Sequence, residues 1–464
     1  MNDNMNDNMK LIGKIIATGV MSFCGVVSET AMNVTFPTLM KEFGIGTSTV
    51  QWITTGYLLV LSLVITLSSY LKRNFSSHFL FLFSIISFIL GTLSCYFAPS
   101  FVFLMVGRVL QGIGTGIALP LMFNIILTEA PQSRLGLFMG IGTIITAMAP
   151  AVGPVLGGFL VDQYGWRAIF LALMPLLLMS LVVGGILIKS APVGQRSHFH
   201  VVEYVFIALA DSTFIVAMVE AASSGWLSLK VIILLLVSLF SMILFVKRSS
   251  SVASPLLQIK VLKNKPFTLG LLAIISVQFC VLALGYVIPN YSQIVNHTNA
   301  LTAGGLLLPG CLVGAFLPLI AGWLLDRFGA FRPIIIGNSL LVISLLLFSY
   351  FGIQLQQTMF YGFYVVFTIG QGLCVGNTMI YALSKLSDDL SADGNALINS
   401  MQQLAGAAGT AVAASLVASA QNVAMANFSK ATAVGSQHVF FMLASILIFA
   451  FICNFFMFKS PSRG

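Results

Sequence analysis

A chain of 464 residues that is 58% hydrophobic and only 8% charged cannot cover a water-facing surface, since a soluble domain carries about 25% charged residues. The net charge of +9 does not describe a nucleic-acid surface either, because the lysines and arginines sit in short gaps between apolar runs. Soluble domains and nucleic-acid partners are excluded together, and the length counts membrane spans instead.

The first eleven residues are polar (MNDNMNDNMKL). No A-x-A-like site closes the apolar run behind them, so the run reads as an uncleaved first span. Crossing a bilayer as a helix takes about 20 apolar residues. On that rule spans are predicted over 12–36, 50–71, 78–98, 101–127, 134–161, 167–189, 201–222, 227–247, 267–290, 301–324, 333–352, 358–383, 399–420 and 437–458, fourteen in all. The seventh is interrupted by Asp211 and Glu220, and the eighth has weak flanking signals. If both termini are cytoplasmic, 17 of the 22 Lys and Arg fall on the cytoplasmic side. Lys41, Arg167, Lys230 and Lys430 fall opposite, and Arg108 lies inside the fourth span. This asymmetry supports an even count with both ends inside. The longest polar stretch, 247–266, is a basic linker between the eighth and ninth spans.

The six cysteines are scattered with no CxxC pair, so neither a disulfide framework nor a zinc site is expected. Glycine is dense at 112–116, 153–158 and 304–310, where small residues let membrane helices approach closely.

Several stretches carry a family pattern. Residues 140–158, GIGTIITAMAPAVGPVLGG, end in Gly153-Pro154 and the pair Gly157-Gly158. Arg108-Val-Leu-Gln111-Gly112 lies in the fourth span, and Gly165-Trp166-Arg167-Ala-Ile-Phe170 precedes the sixth. Thr302-Ala-Gly304-Gly-Leu-Leu-Leu-Pro309-Gly310 and 394–410, GNALINSMQQLAGAAGT, open the tenth and thirteenth. Together, over residues 12–458, the chain resembles the major facilitator superfamily, in its fourteen-helix drug–proton antiporter branch.

That resemblance implies an all-α membrane protein of the major facilitator fold. Its organisation would be an N-terminal six-helix bundle (1–189), two extra helices (190–247), a cytoplasmic linker (248–266) and a C-terminal six-helix bundle (267–464). It also implies a monomer in a bacterial cytoplasmic membrane that exports lipophilic, cationic compounds in exchange for protons by alternating access. Such a transporter is not an enzyme and uses the proton gradient rather than a cofactor. Gly153, Pro154, Gly157 and Gly158 would serve the conformational change. So would the loop motif after the tenth span, Gly322, Asp326, Arg327, Gly329 and Arg332. The equivalent loop after the second span lacks the expected Gly and Asp, reading SSYLKRN. In the first span the pattern Asp-x-Thr-x-x-Asn-Val-x-x-Pro becomes Ser28-Glu29-Thr30-Ala-Met-Asn33-Val-Thr-Phe-Pro37. The acid sits one residue late, which rotates it by about 100° around the helix.

Ionisable groups at membrane depth are costly, about 2.5–3.5 kcal/mol each, and mark function by default. Glu29, Arg108, Asp211 and Glu220 qualify. Glu29 in apolar surroundings can be neutralised by a proton or by a cationic substrate, which is the competition an antiporter needs; the bland alternative is a structural carboxylate paired with Arg108 or a polar neighbour. Arg108 would tune a nearby acid and anchor the fourth helix to the first. Asp211 divides between proton relay and a charge facing a polar groove or a neighbour, and Glu220 reads as solvated. The C-terminal half shows no acid inside a helix, Asp326, Asp388, Asp389 and Asp393 reading as cytoplasmic loop residues, so coupling would rest on the first half. One proton moved across 100 mV is worth about 2.3 kcal/mol, roughly a fiftyfold gradient. Asn33, Gln51, Trp52, Tyr57, Gln278, Tyr286, Asn290, Tyr291 and Asn377 are candidates to line the substrate path. An exporter of an endogenous lipid, fatty acid or metabolite would use the same machinery. A membrane enzyme lacks a nucleophile–base or metal-ligand pattern, and no Gly-x-x-x-x-Gly-Lys-Ser/Thr loop supports an ATP-driven pump.

Overall fold

The computed structural model describes residues 2–131, 135–189, 199–252, 258–423 and 427–459. The chain runs α1 (Asn2–Phe43), α2 (Thr47–Val50), α3 (Trp52–Thr66), α4 (Ser68–Asn74), α5 (Ser77–Tyr96), α6 (Phe101–Glu129), α7 (Leu135–Tyr164) and α8 (Ala168–Leu187). It continues as α9 (Val201–Ser224), α10 (Leu229–Ser251), a 3-10 turn at Ile259–Lys263, α11 (Lys265–Ile294), α12 (Ala300–Gly305) and α13 (Leu308–Phe328). The last four are α14 (Phe331–Phe351), α15 (Gln357–Leu383), α16 (Asp388–Val423) and α17 (Phe428–Lys459).

The helical monotony follows from the solvent: in hydrocarbon every backbone group must be paired within its own segment. Among the described residues, thirteen stretches are long and apolar enough to cross a membrane. The 30-residue α7, whose sole charge is Asp162, supplies the fourteenth. The second span is α2 to α4, with Gln51 and Leu67 still in right-handed helical geometry at the two breaks. The tenth is α12 plus α13; Pro309 has no N–H for the Gly305 carbonyl, so the ladder breaks there.

Side-chain caps start many of these helices. Ser76, Ser100, Ser228, Asn264 and Asn299 each accept from the backbone N–H three residues on. Gly165 and Gly329, at φ +83° and +74°, end α7 and α13 in the left-handed region that a side chain would strain.

An even number of crossings returns the chain to the side it started on; the opposite side is called distal below. α1 packs on α6, α7 and α8, and α5 on α6 and α8. In the second half α11 packs on α15, α16 and α17, and α14 on α15 and α17. Three seams cross between the halves: α3 with α16, α7 with α12 and α13, and α1 with α11. The pair α9–α10 lies against α16 and α3 through α9.

Two expectations need correction. Asp388, Asp389 and Asp393 lie within α16, and Asp326 within α13, because these helices continue past their apolar stretches. Glu203, outside the four charges singled out, is fully buried beside His200 at 4.0 Å. Glu220 pairs with Lys230 at 2.7 Å at the distal end and is part-exposed, as a rim charge.

Candidate functional site

Arg108 on α6 is fully buried and ties three helices together. Its Nε donates to the Ile53 carbonyl of α3 at 3.0 Å, and Nη1 donates to Ser28 Oγ of α1 and to Gln111 Oε1, both at 2.8 Å. Its guanidinium lies 4.2 Å from the centre of the Tyr57 ring, a cation–π arrangement. Nη2 has no hydrogen-bond partner among the described residues. A second layer fixes the first. Gln111 donates to Thr92 at 3.0 Å, and the Tyr57 hydroxyl donates to the Gly25 carbonyl at 3.1 Å and shares a 2.8 Å bond with Thr115. Arg108 therefore anchors α6 to α1, but through the serine.

Glu29 is 6% exposed. Among the described residues no hydrogen bond or ion pair reaches its carboxylate, and Arg108 lies beyond the 4.0 Å of an ion pair. It remains within electrostatic reach of both Arg108 and Tyr57. The structural pair with Arg108 is thus not formed; the one-residue offset turns Glu29 away and leaves Ser28 facing the guanidinium. Arg108→Lys is expected to lose the fork to Ile53, Ser28 and Gln111, since one ammonium cannot reach all three. The cost should be about 1.5–3 kcal/mol, read as a lower unfolding temperature of the detergent-purified protein. An unchanged temperature would say that the network contributes nothing.

One turn above Glu29, Asn33 accepts from Thr54 of α3 at 3.0 Å. Its carbonyl accepts from Asn290 of α11 at 3.4 Å, and Gln293 reaches the Val34 carbonyl at 3.1 Å. Tyr286 packs on Phe36 with ring centres 5.6 Å apart. Asn33, Tyr286 and Asn290 therefore gather at the α1–α11 seam beyond Glu29, with Tyr57 behind. Other path candidates lie elsewhere. Gln51 is buried and donates to Ser48; Asn377 is bound to the carbonyls of Ala321 and Leu373. Gln278 lies twelve residues before Asn290 on α11, about 18 Å along its axis. Tyr291 is buried and accepts from the Leu355 N–H, and Trp52 packs beside α9.

The glycine motif of α7 splits between two seams. Gly153 and Gly157 face α1: an added Cβ would meet Thr30 Cβ at 3.0 Å and Ala31 Cα at 2.9 Å respectively. Pro154 and Gly158 face α12 instead, where a Cβ on Gly158 would meet Leu301 Cα at 2.7 Å and one on Gly304 the Pro154 carbonyl carbon at 2.6 Å. One turn on, Asp162 accepts from the Ala300 and Leu301 N–H groups at 3.2 and 2.8 Å, capping α12 across the seam. No sequence signal marks that carboxylate as a cap. In the loop motif, Arg327 stacks over Trp323 and Phe328, Arg332 approaches Phe328, and Gly322 faces open space. The side chain of Asp326 lies outside the described residues.

A cavity of about 390 Å³ opens at the other end, lined by Lys72, Asn124, Glu129 and Lys189 among others. Lys14, which pairs with Glu129 at 2.6 Å, precedes Glu29 by fifteen residues, about 22 Å of helix, so this cavity is separate from the Glu29 cluster.

The model of the Major Facilitator Superfamily matches residues 18–410. The lincomycin resistance protein LmrB of Bacillus subtilis is 32% identical over 459 residues, covering 97% of this chain and 96% of the relative. A multidrug resistance protein B homolog of Mycobacterium tuberculosis is 29% identical over 419 residues, covering 86% and 76%. Among solved structures, a bacterial homolog of the human lysosomal transporter Spinster, inward-facing and unoccupied, superposes with a TM-score of 0.70 at 15% identity, over 97% and 99% of the two chains. This last likeness concerns the fold.

Proposed function

The chain belongs to the Major Facilitator Superfamily, and we propose that it is a multi-pass drug-efflux transporter that exchanges protons for lipophilic, cationic compounds. The relatives named for lincomycin and multidrug resistance support export as the direction. The observation that carries the coupling is Glu29: a carboxylate enclosed at membrane depth, without a hydrogen bond or ion pair among the described residues, beside a polar seam between the halves. A carboxylate so placed is neutralised by a proton or by a cation, one at a time, so loading one releases the other. Arg108, held by Ser28, Gln111, Ile53 and Tyr57, is the fixed charge against which that exchange takes place. The bundles 1–189 and 267–464 rock about the midplane, parting the α1–α11 and α7–α12 contacts on the distal side to open it.

Proteoliposomes with an imposed pH gradient test this. Ethidium should be driven against its own gradient, with a matching change of lumenal pH. Ethidium movement that leaves lumenal pH untouched would remove the proton from the scheme. Asp162→Ala tests the rocking. Losing the cap on α12 should cost about 0.5–2 kcal/mol and shift the closed-to-open ratio of the distal side by roughly 2- to 30-fold. Spin-label distances between α7 and α12 would show the shift, and an unchanged distance distribution would deny Asp162 that role.

A further inference from the structure

The extra pair α9–α10 holds a second enclosed acid. Asp211 on α9 is 1% exposed, and neither carboxylate oxygen has a hydrogen-bond partner among the described residues. Its position is set from two sides. Ser238 of α10 donates to the neighbouring Ala210 carbonyl at 2.9 Å. Ile215, one turn on and on the same helix face, packs with Leu58, Leu61 and Ile65 of α3 and with Ala407 and Ala408 of α16. Asp211 thus lies where α9 covers the α3–α16 seam, a seam joined by Ser62 to the Ser400 carbonyl at 3.1 Å and by Thr66 to Ser400 at 2.7 Å.

Among the described residues, no cation answers this carboxylate from the helices around it. The charges of α10 sit at its ends, Lys230 beside Glu220, and Lys247 and Arg248 nine or more residues beyond Ser238, about 13 Å away. Those of α16 are the acids Asp388, Asp389 and Asp393 in its first turns. Tyr57 of α3 is held by Gly25 and Thr115 on its other side, and α2 has no titratable residue. On α9 itself Tyr204 lies two turns back, and Glu203 stands beside His200.

An ionised carboxylate enclosed without donor or cation bears a large desolvation cost, and the neutral acid avoids it. We propose that Asp211 is a second proton-binding site, loaded in the conformation described here and emptied when the α3–α16 seam parts and water reaches it. The proton joins a carboxylate oxygen from water on one side of the membrane and returns to water on the other. This rests on the proton-driven reading above and adds the extra helices to the coupling, beside a seam that must move.

The test compares wild type with Asp211→Asn in proteoliposomes, using ethidium as the probe. The pH gradient that just balances an ethidium gradient gives the proton-to-ethidium ratio. It should fall by one proton in Asp211→Asn and stay at the wild-type value in Asp211→Glu. A wild-type ratio in Asp211→Asn overturns the proposal. Infrared absorption of the lipid-embedded protein at neutral pH decides independently of transport. The carboxylic-acid C=O absorption should lose one component in Asp211→Asn, that of protonated Glu29 remaining, and an absorption unchanged by that substitution overturns the site. If Asp211→Asn fails to insert, that component must shift in Asp211→Glu, and an unshifted component is equally fatal. A wild type that moves no proton with ethidium would sink the antiport reading, and the infrared band would still report on Asp211.

Discussion

Glu29→Gln is expected to reduce pH-driven ethidium export to background while the protein inserts and unfolds at an unchanged temperature. Glutamine keeps the size of the side chain and removes the group that a proton and a cation compete for. Because no hydrogen bond or ion pair to the carboxylate from the described residues is lost, the change in stability should stay within about 0.5 kcal/mol. Export at the wild-type rate would take Glu29 out of the mechanism. The double variant Ser28→Asp, Glu29→Gln asks whether the two helix faces are equivalent. It puts the acid where the family pattern has it, 2.8 Å from Arg108 as judged by Ser28 Oγ. Part of the pH-driven export should return, slowed because Arg108 now holds the new carboxylate as an ion pair. No return would show that the face occupied by Glu29 is itself required.

The number and order of spans were legible because insertion imposes a length of about 20 apolar residues on each, and interruptions such as Pro309 do not change that. Helix ends were not legible. Beyond the apolar stretch hydropathy is silent, so Asp388, Asp389 and Asp393 read as loop although α16 begins at the first of them. Residue types singled out Glu29, Arg108 and Asp211 as candidates, since charge at membrane depth is rare, and all three are buried. The partners of Arg108 were hidden by geometry. A single residue's rotation decides that Ser28 and not Glu29 meets Arg108, and the shared bonds of Gln111 with Thr92 and of Tyr57 with Thr115 depend on how α1, α3, α5 and α6 settle against each other. The glycine motif showed the same limit: its composition gave close packing, but not that neighbouring positions serve different seams.

That division gives the second large effect. Gly158→Ala should open the distal side, and Gly153→Ala should not. A methyl group on Gly158 meets the backbone of Ala300 and Leu301, which no rotamer change can move aside, so α12 must withdraw from α7. The cap from Asp162 to Ala300 and Leu301 one turn away is then stretched as well. The conformation with closed distal ends is the one penalised, so the population moves toward distal-open and turnover slows. Overpacking of this kind costs about 1–3 kcal/mol, a bias of roughly 5- to 150-fold. On Gly153 the methyl group meets the Thr30 side chain of α1 instead, within what the proposal treats as a single bundle. There the same cost falls on every conformation alike and appears as lost stability. An Asn290→Cys reporter, with the six native cysteines all buried, would separate the two. Labelling by a membrane-impermeant maleimide should speed up with Gly158→Ala and keep its rate with Gly153→Ala, whose unfolding temperature falls instead. Equal labelling in both variants would mean that the α7–α12 contact does not part during transport.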